Sequence, residues 1–145
     1  MSKQFEMVEV FNRDILNIPP RKMEIQYSDE FNLSIAQLRE EIFEIEKAFT
    51  QRSYHDMIDG LIDLNYYLFG IFYKMGIDAT DYATVFSIVH EANMKKKLGS
   101  NPQRQGFKSA DAIKPFDWES PEVAIEFYLN LAKKEKAKEK NLIQE

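Results

Sequence analysis

The chain has 145 residues, enough for one domain with a real core and too few to expect two. Hydrophobic residues at 44% and charged residues at 30% describe a folding, globular chain, and the lack of cysteine excludes disulfides, thiolate nucleophiles and zinc-thiolate sites. Its 24 acidic and 19 basic residues give a net charge of −5, which opposes binding to polymeric nucleic acid and suits a protein that collects divalent cations.

The first residues hold no basic segment followed by an apolar run, and no later stretch approaches about 18 uninterrupted apolar residues, so a cytoplasmic protein with no membrane partner is expected. Phe5, Val8, Phe11, Ile15 and Leu16 recur at helical spacing until Ile18, Pro19 and Pro20 stop the pattern, which predicts a helix over roughly 3–17. A loop to about Asp29 precedes a second helix over 31–49, with Leu33, Leu38, Ile42, Ile45 and Phe49 on its apolar side and Asn32 or Ser28 as its cap. Ser53 and Asp56 resemble a capping box for a third, very apolar helix over 57–75 that stops at Gly76. Thr80 or Asp78 caps a fourth helix bearing Val85, Ile88, Val89 and Met94, and Gly99 lies just past its basic last turn.

Residues 100–119, punctuated by Pro102, Gly106 and Pro115, read as a long ordered loop, and Ser120, Pro121 and Glu122 open a fifth helix. That helix carries Val123, Phe127, Tyr128 and Leu131, then fades into a charged end with five lysines. No period-2 strand and no repeat stand out. The fold class expected is all-α, an antiparallel bundle of about four core helices, with a domain over 1–132 and a charged helix end or tail over 133–145. Helix three has more apolar surface than one such bundle covers, so a homodimer or homotetramer is expected.

Between Asp59 and Tyr73 the only charged side chains are Asp59 and Asp63, set among leucines, isoleucines and aromatics. A helix this apolar is expected to be mostly buried. The two aspartates share a face at i, i+4, and Asp56 falls within about 20° of Asp63 at roughly 100° per residue. Helix two adds Glu40, Glu41 and Glu44 on neighbouring positions. Like charges on facing helices need a counterion, and hard oxygen ligands with few imidazoles select Mg²⁺ or Mn²⁺. The plainer account makes the glutamates the solvated side of an amphipathic helix, and the aspartates are what weigh against it.

A carboxylate-bridged di-iron centre requires Glu-x-x-His pairs, and neither His55 nor His90 has a glutamate three residues earlier. His90 reads as a structural hydrogen-bonding residue. No phosphate-cradling Gly-x-x-x-x-Gly-Lys and no Gly-x-Ser-x-Gly occurs, which leaves water as the nucleophile.

These residues resemble the MazG-like, or phosphoribosyl-ATP pyrophosphohydrolase-like, all-α nucleotide pyrophosphatase superfamily. Its Glu-Glu-x-x-Glu corresponds to Glu40, Glu41 and Glu44, and its second acidic element to the stretch from Asp59 through Asp63 to Gly70, with Gly60 where the family has a glutamate. His90, Asn93 and Lys96, followed by Gly106, Lys108, Lys114, Pro115 and Pro121, are similar to the phage and bacterial branch.

The resemblance implies cleavage between the α- and β-phosphates of a nucleoside triphosphate, giving a monophosphate and pyrophosphate. It implies metal on Glu41, Glu44, Asp59 and Asp63, with Glu40 holding a further metal or orienting the attacking water as a base. Asn93 and Lys96, with Lys95 or Lys97 nearby and Lys114 as a further candidate, would grip the polyphosphate. The plainer account of the three consecutive lysines is cation enrichment at a helix C-terminus. Phe11, Tyr66 and Tyr67 are candidates to stack on a base, though aromatics at helical spacing are mostly core. Trp118 either closes over the site or anchors its loop. The rival reading is a non-catalytic helical nucleotide-binding or scaffold protein whose acids are merely solvated.

Overall fold

The computed structural model describes residues 3–100 and 111–142 and carries five helices and one two-stranded ribbon. The expectations that fall on Pro102, Gly106 and Lys108 lie outside the described residues. The helices are α1 (Lys3–Asp14), α2 (Ser28–Thr50), α3 (Tyr54–Lys74), α4 (Ala79–Met94) and α5 (Glu122–Leu142). The chain divides into two compact units, one within Met1–Thr80 and one within Asp81–Glu145. None of the described helices is long and apolar enough to cross a membrane.

In the first unit α3 packs against both α1 and α2. Phe5 and Val8 of α1 are buried, and the Phe5 ring lies 5.1 Å from that of Phe69 and 6.5 Å from that of Phe72. Such tilted ring pairs combine large apolar burial with favourable quadrupole contact. The helix ends at Asp14, ahead of the prolines: Asn17 takes a positive φ of 55° and the Ile18 amide donates to the Asn12 carbonyl.

Helix α2 starts without either expected cap, since Tyr27 is its N-cap and makes no side-chain cap bond, while Ser28 and Asn32 lie inside the helix. It ends on a Schellman turn with Arg52 at φ 55°, in which the Ser53 amide reaches the Ala48 carbonyl. Helix α3 has Ser53 as N-cap; the hydroxyl bonds Asp56 instead of the backbone. Its end is the expected one, with Gly76 at φ 78° and the Ile77 amide on the Phe72 carbonyl. A side chain at Gly76 would also collide with the Lys22 carbonyl, so glycine is doubly required there.

The buried face of α2 departs from the leucine and isoleucine stripe. Leu33, Ile42 and Phe49 are exposed, whereas Ser34, Glu41 and Ala48, seven residues apart, are buried. Small side chains let α3 come close: a Cβ on Gly60 would stand 2.9 Å from Ile45 Cγ1. The glycine in place of a glutamate thus marks a tight helix crossing.

Asp78 Oδ1 accepts from the Thr80 amide at the head of α4, the alternative cap expected there. Past α4 the chain forms β1 (Lys97–Gly99) and β2 (Asp111–Ile113), antiparallel, with Lys97 opposite Ile113. This ribbon corrects the expectation of no strands and of an unbroken loop after Gly99; three-residue strands are too short to show alternation. Helix α5 begins as expected, its Ile125 amide bonded to the Pro121 carbonyl, and runs on through the charged end to Leu142.

Candidate active site

Helices α2 and α3 carry all five expected carboxylates within the first unit. Glu41 sits on the buried seam with Ser34 and Ala48, 8% exposed, and its Oε2 has no hydrogen-bond partner. Glu40 and Glu44 flank it on the exposed side of α2, and Asp59 and Asp63 are exposed on α3. The burial expected of the two aspartates is therefore corrected. Ile58, Leu61, Ile62 and Leu68 of α3 also remain open to solvent, so the helix is apolar without being covered in the single chain.

The acids nevertheless share one electrostatic neighbourhood. The Glu41 carboxyl is pushed above its ordinary value of 4.5, first by desolvation and then by Asp63, Glu44, Glu40 and Asp59. Tyr67 on α3 feels the same group: its phenol is raised by burial and by Glu41, Glu40, Asp63 and Glu44. A buried acid with a bare oxygen and only acids around it lacks what normally stabilises a buried charge, namely a cation.

Divalent metal fits the donor set in its chemistry, which is all hard carboxylate oxygen with no thiolate or imidazole among it. Among the described residues no three acidic or imidazole side chains already converge as a metal cage. The donors are thus on facing helices but not drawn together.

Beside this seam Phe11, Asn12, Ser34, Gln37, Tyr66 and Tyr67 line a cavity of about 60 Å³. The three aromatic candidates for base stacking are gathered there, with Phe11 edge-on to Tyr66 at 5.5 Å. Ser34, buried with its hydroxyl unpartnered, and Gln37 were not legible as site residues. The available signal was their spacing of seven and four residues from Glu41, which puts them on its face.

In the second unit Asn93 lies exposed in the last turn of α4, followed by exposed Lys95 and half-buried Lys96. Lys96 and Lys114 are brought to one ring, that of Trp118, at 5.5 and 4.4 Å from its centroid. Trp118 anchors its own segment, its indole N–H donating to the Ala92 carbonyl at 2.7 Å. His90 is exposed.

The site is thus a pair of packed helices concentrating carboxylates around one desolvated glutamate, on an all-α scaffold. The model of the phosphoribosyl-ATP pyrophosphohydrolase family matches residues 6–93, more than half the chain. The chain belongs to this family, within the MazG-like all-α superfamily, and so stands among pyrophosphohydrolases acting on a nucleotide phosphoanhydride. No curated protein matches it.

Proposed function

We propose that the chain is a Mg²⁺-dependent nucleoside triphosphate pyrophosphohydrolase, cleaving between the α- and β-phosphates to release a nucleoside monophosphate and pyrophosphate. The observation that carries this reading is Glu41, buried on the α2–α3 seam with a bare oxygen and surrounded by Glu40, Glu44, Asp59 and Asp63. Glu41, Glu44, Asp59 and Asp63 would hold Mg²⁺ or Mn²⁺, which when bound supplies charge neutralisation on phosphate oxygens and a lowered pKa for water. Glu40, exposed beside Glu41, would orient the attacking water and accept its proton as the new bond to phosphorus forms and the bond to the departing pyrophosphate breaks. The cavity bounded by Phe11, Tyr66 and Tyr67 supplies apolar surface for a base, and Ser34 and Gln37 supply polar atoms at its edge.

The exposed apolar positions on α3 support assembly as a homodimer or homotetramer, because an unpartnered row of this kind is normally covered. Among the described residues no helix is long and apolar enough to cross a membrane, and the sequence holds no cysteine; both support the reading of a cytoplasmic protein. One observation favours the rival reading of a non-catalytic nucleotide-binding or scaffold protein: Asp59 and Asp63 are exposed and no three acids converge among the described residues.

The two readings separate in a pyrophosphate-release screen of the common nucleoside and deoxynucleoside triphosphates and phosphoribosyl-ATP, with and without Mg²⁺. Turnover that requires the ion, and that Asp63→Asn removes while circular dichroism stays unchanged, is the expected result. No pyrophosphate from any of these substrates would overturn the reading in favour of the binding protein.

A further inference from the structure

The cavity beside the acidic seam has two unlike ends. At one stands Tyr67, whose phenol feels Glu41, Glu40, Asp63 and Glu44. At the other stands Lys74, seven residues further along α3 and so about 10 Å away at a rise of roughly 1.5 Å per residue. Residues 51–53 alone join α2 to α3, so the two helices run antiparallel, and Ser34, seven residues before Glu41 on α2, falls at the end that Lys74 marks. Between the ends lies buried Gly70. A Cβ added there would stand 3.6 Å from Asn12 Nδ2, in ordinary contact with another wall residue, and would take up space in the cavity.

The polar groups of the far end are unspent. Ser34 is 2% exposed and its hydroxyl has no partner, and among the described residues Lys74 forms no ion pair. A buried hydroxyl left unpaired is costly, so a partner for it is missing. The last turn of a helix favours a cation whatever it faces, which accounts for a lysine at position 74. It does not account for that lysine lining a cavity alongside a bare hydroxyl. An ammonium donates hydrogen bonds and accepts none, so an occupant has to offer it an acceptor, while the Gln37 amide can both donate and accept.

The geometry points to an oxo-pyrimidine, the uracil or thymine ring of a nucleotide, as the occupant, with Lys74 donating to a ring carbonyl and Gln37 accepting from the imide N–H beside it. This rests on the proposed function, which puts the phosphates at the acidic end, and adds the class of base. Cytosine and adenine carry an amino group where uracil carries that carbonyl; against an ammonium, donor meets donor and both stay unsatisfied. Size sets the second limit. At about 60 Å³ the cavity is well below the roughly 150 Å³ that encloses a lone benzene ring, so it takes the edge of one six-membered ring. With that edge at Lys74, the second ring of a purine, that of phosphoribosyl-ATP included, would push the phosphates back from the acids.

The full chain is titrated by calorimetry in the presence of Mg²⁺ with the monophosphates of deoxyuridine, thymidine, deoxycytidine, deoxyadenosine and deoxyguanosine, whose binding needs no turnover. The uracil and thymine compounds are expected to bind at least about tenfold more tightly than the cytosine compound, and the purines more weakly still. Equal binding of uracil and thymine would assign the preference to their shared imide edge; a loss for thymine alone would assign it to uracil.

Lys74→Met keeps the apolar stem and loses the donors, and should bring uracil and cytosine to within about twofold of each other. Gly70→Ala should weaken the uracil compound about tenfold while the urea midpoint holds or rises, because alanine is the better helix former. Cytosine or guanine bound as tightly as uracil, a Lys74→Met variant that keeps the parent's preference, or no binding of any monophosphate would overturn the assignment. Turnover of every triphosphate at equal kcat/KM would sink the base preference and leave the proposed function standing. A uracil preference carried by Lys74, with no pyrophosphate released from any triphosphate, would do the reverse.

Discussion

Each of the two units buries a carboxylate, and the two are treated in opposite ways. Asp81, at the start of α4, is 2% exposed, accepts a hydrogen bond from the Tyr128 hydroxyl at 2.9 Å and is paired with Lys136 of α5. Glu41, in the middle of α2, is 8% exposed, leaves one oxygen bare and has other acids for neighbours. An acid packed against its own cation ties two helices of one unit together. An acid packed among acids opposes folding, and under the proposed function its presence is explained by the cation it would hold. The contrast sets a carboxylate paired within the fold against one that the proposed function puts to use, and substitution of each tests it.

The largest expected effect is on turnover. Glu41→Gln removes the charge at the centre of the acidic seam while keeping its volume, and under the proposed function pyrophosphate release should fall by at least about 100-fold, since the carboxylate would hold the metal that supplies several kcal/mol of transition-state stabilisation. Turnover within a few-fold of the parent would make the bare oxygen incidental and collapse the contrast. Asp81→Asn acts on stability instead. It breaks a charge-assisted bond in a buried setting but leaves Lys136 partly open to water, so a loss of about 1.5–3 kcal/mol is expected in urea denaturation. An unchanged midpoint would mean that the Asp81 cluster does not tie α4 to α5.

The helices were legible because apolar residues repeat at helical spacing over long windows and Gly76, Asp78 and Pro121 mark their ends. The buried face of α2 was not. Leu33, Ile42 and Phe49 advertise a core stripe, but close approach of α3 at Gly60 favours the slimmer seam of Ser34, Glu41 and Ala48. Hydrophobicity alone does not say how near a partner helix stands. The carboxylate motif was readable as spacing, while which acid lost its water was not: the aspartates inside the apolar run are exposed and a glutamate in a polar-looking run is buried. Trp118 could be singled out as unique, but its partners lie 26 residues away at Ala92 and across a ribbon too short to leave a pattern.

The smallest effect is the most discriminating, because it carries a sign opposite to that of most acid-to-amide changes. Burial and four neighbouring acids hold the Glu41 carboxyl above its ordinary 4.5, so the folded chain binds that proton more tightly than the unfolded chain. Below 4.5 the group is protonated in both states and costs nothing. As pH rises through that value the unfolded state ionises first, and folding loses stability until the folded carboxyl also ionises, after which the penalty stays constant. Glu41→Gln has no such penalty. In metal-free buffer at pH 7 its denaturation midpoint should therefore exceed the parent's, and the advantage should vanish below 4.5. Added Mg²⁺ should raise the parent's midpoint by mass action and leave that of the variant where it was. A variant less stable than the parent at pH 7 without metal would show Glu41 to be satisfied in the fold after all, like Asp81.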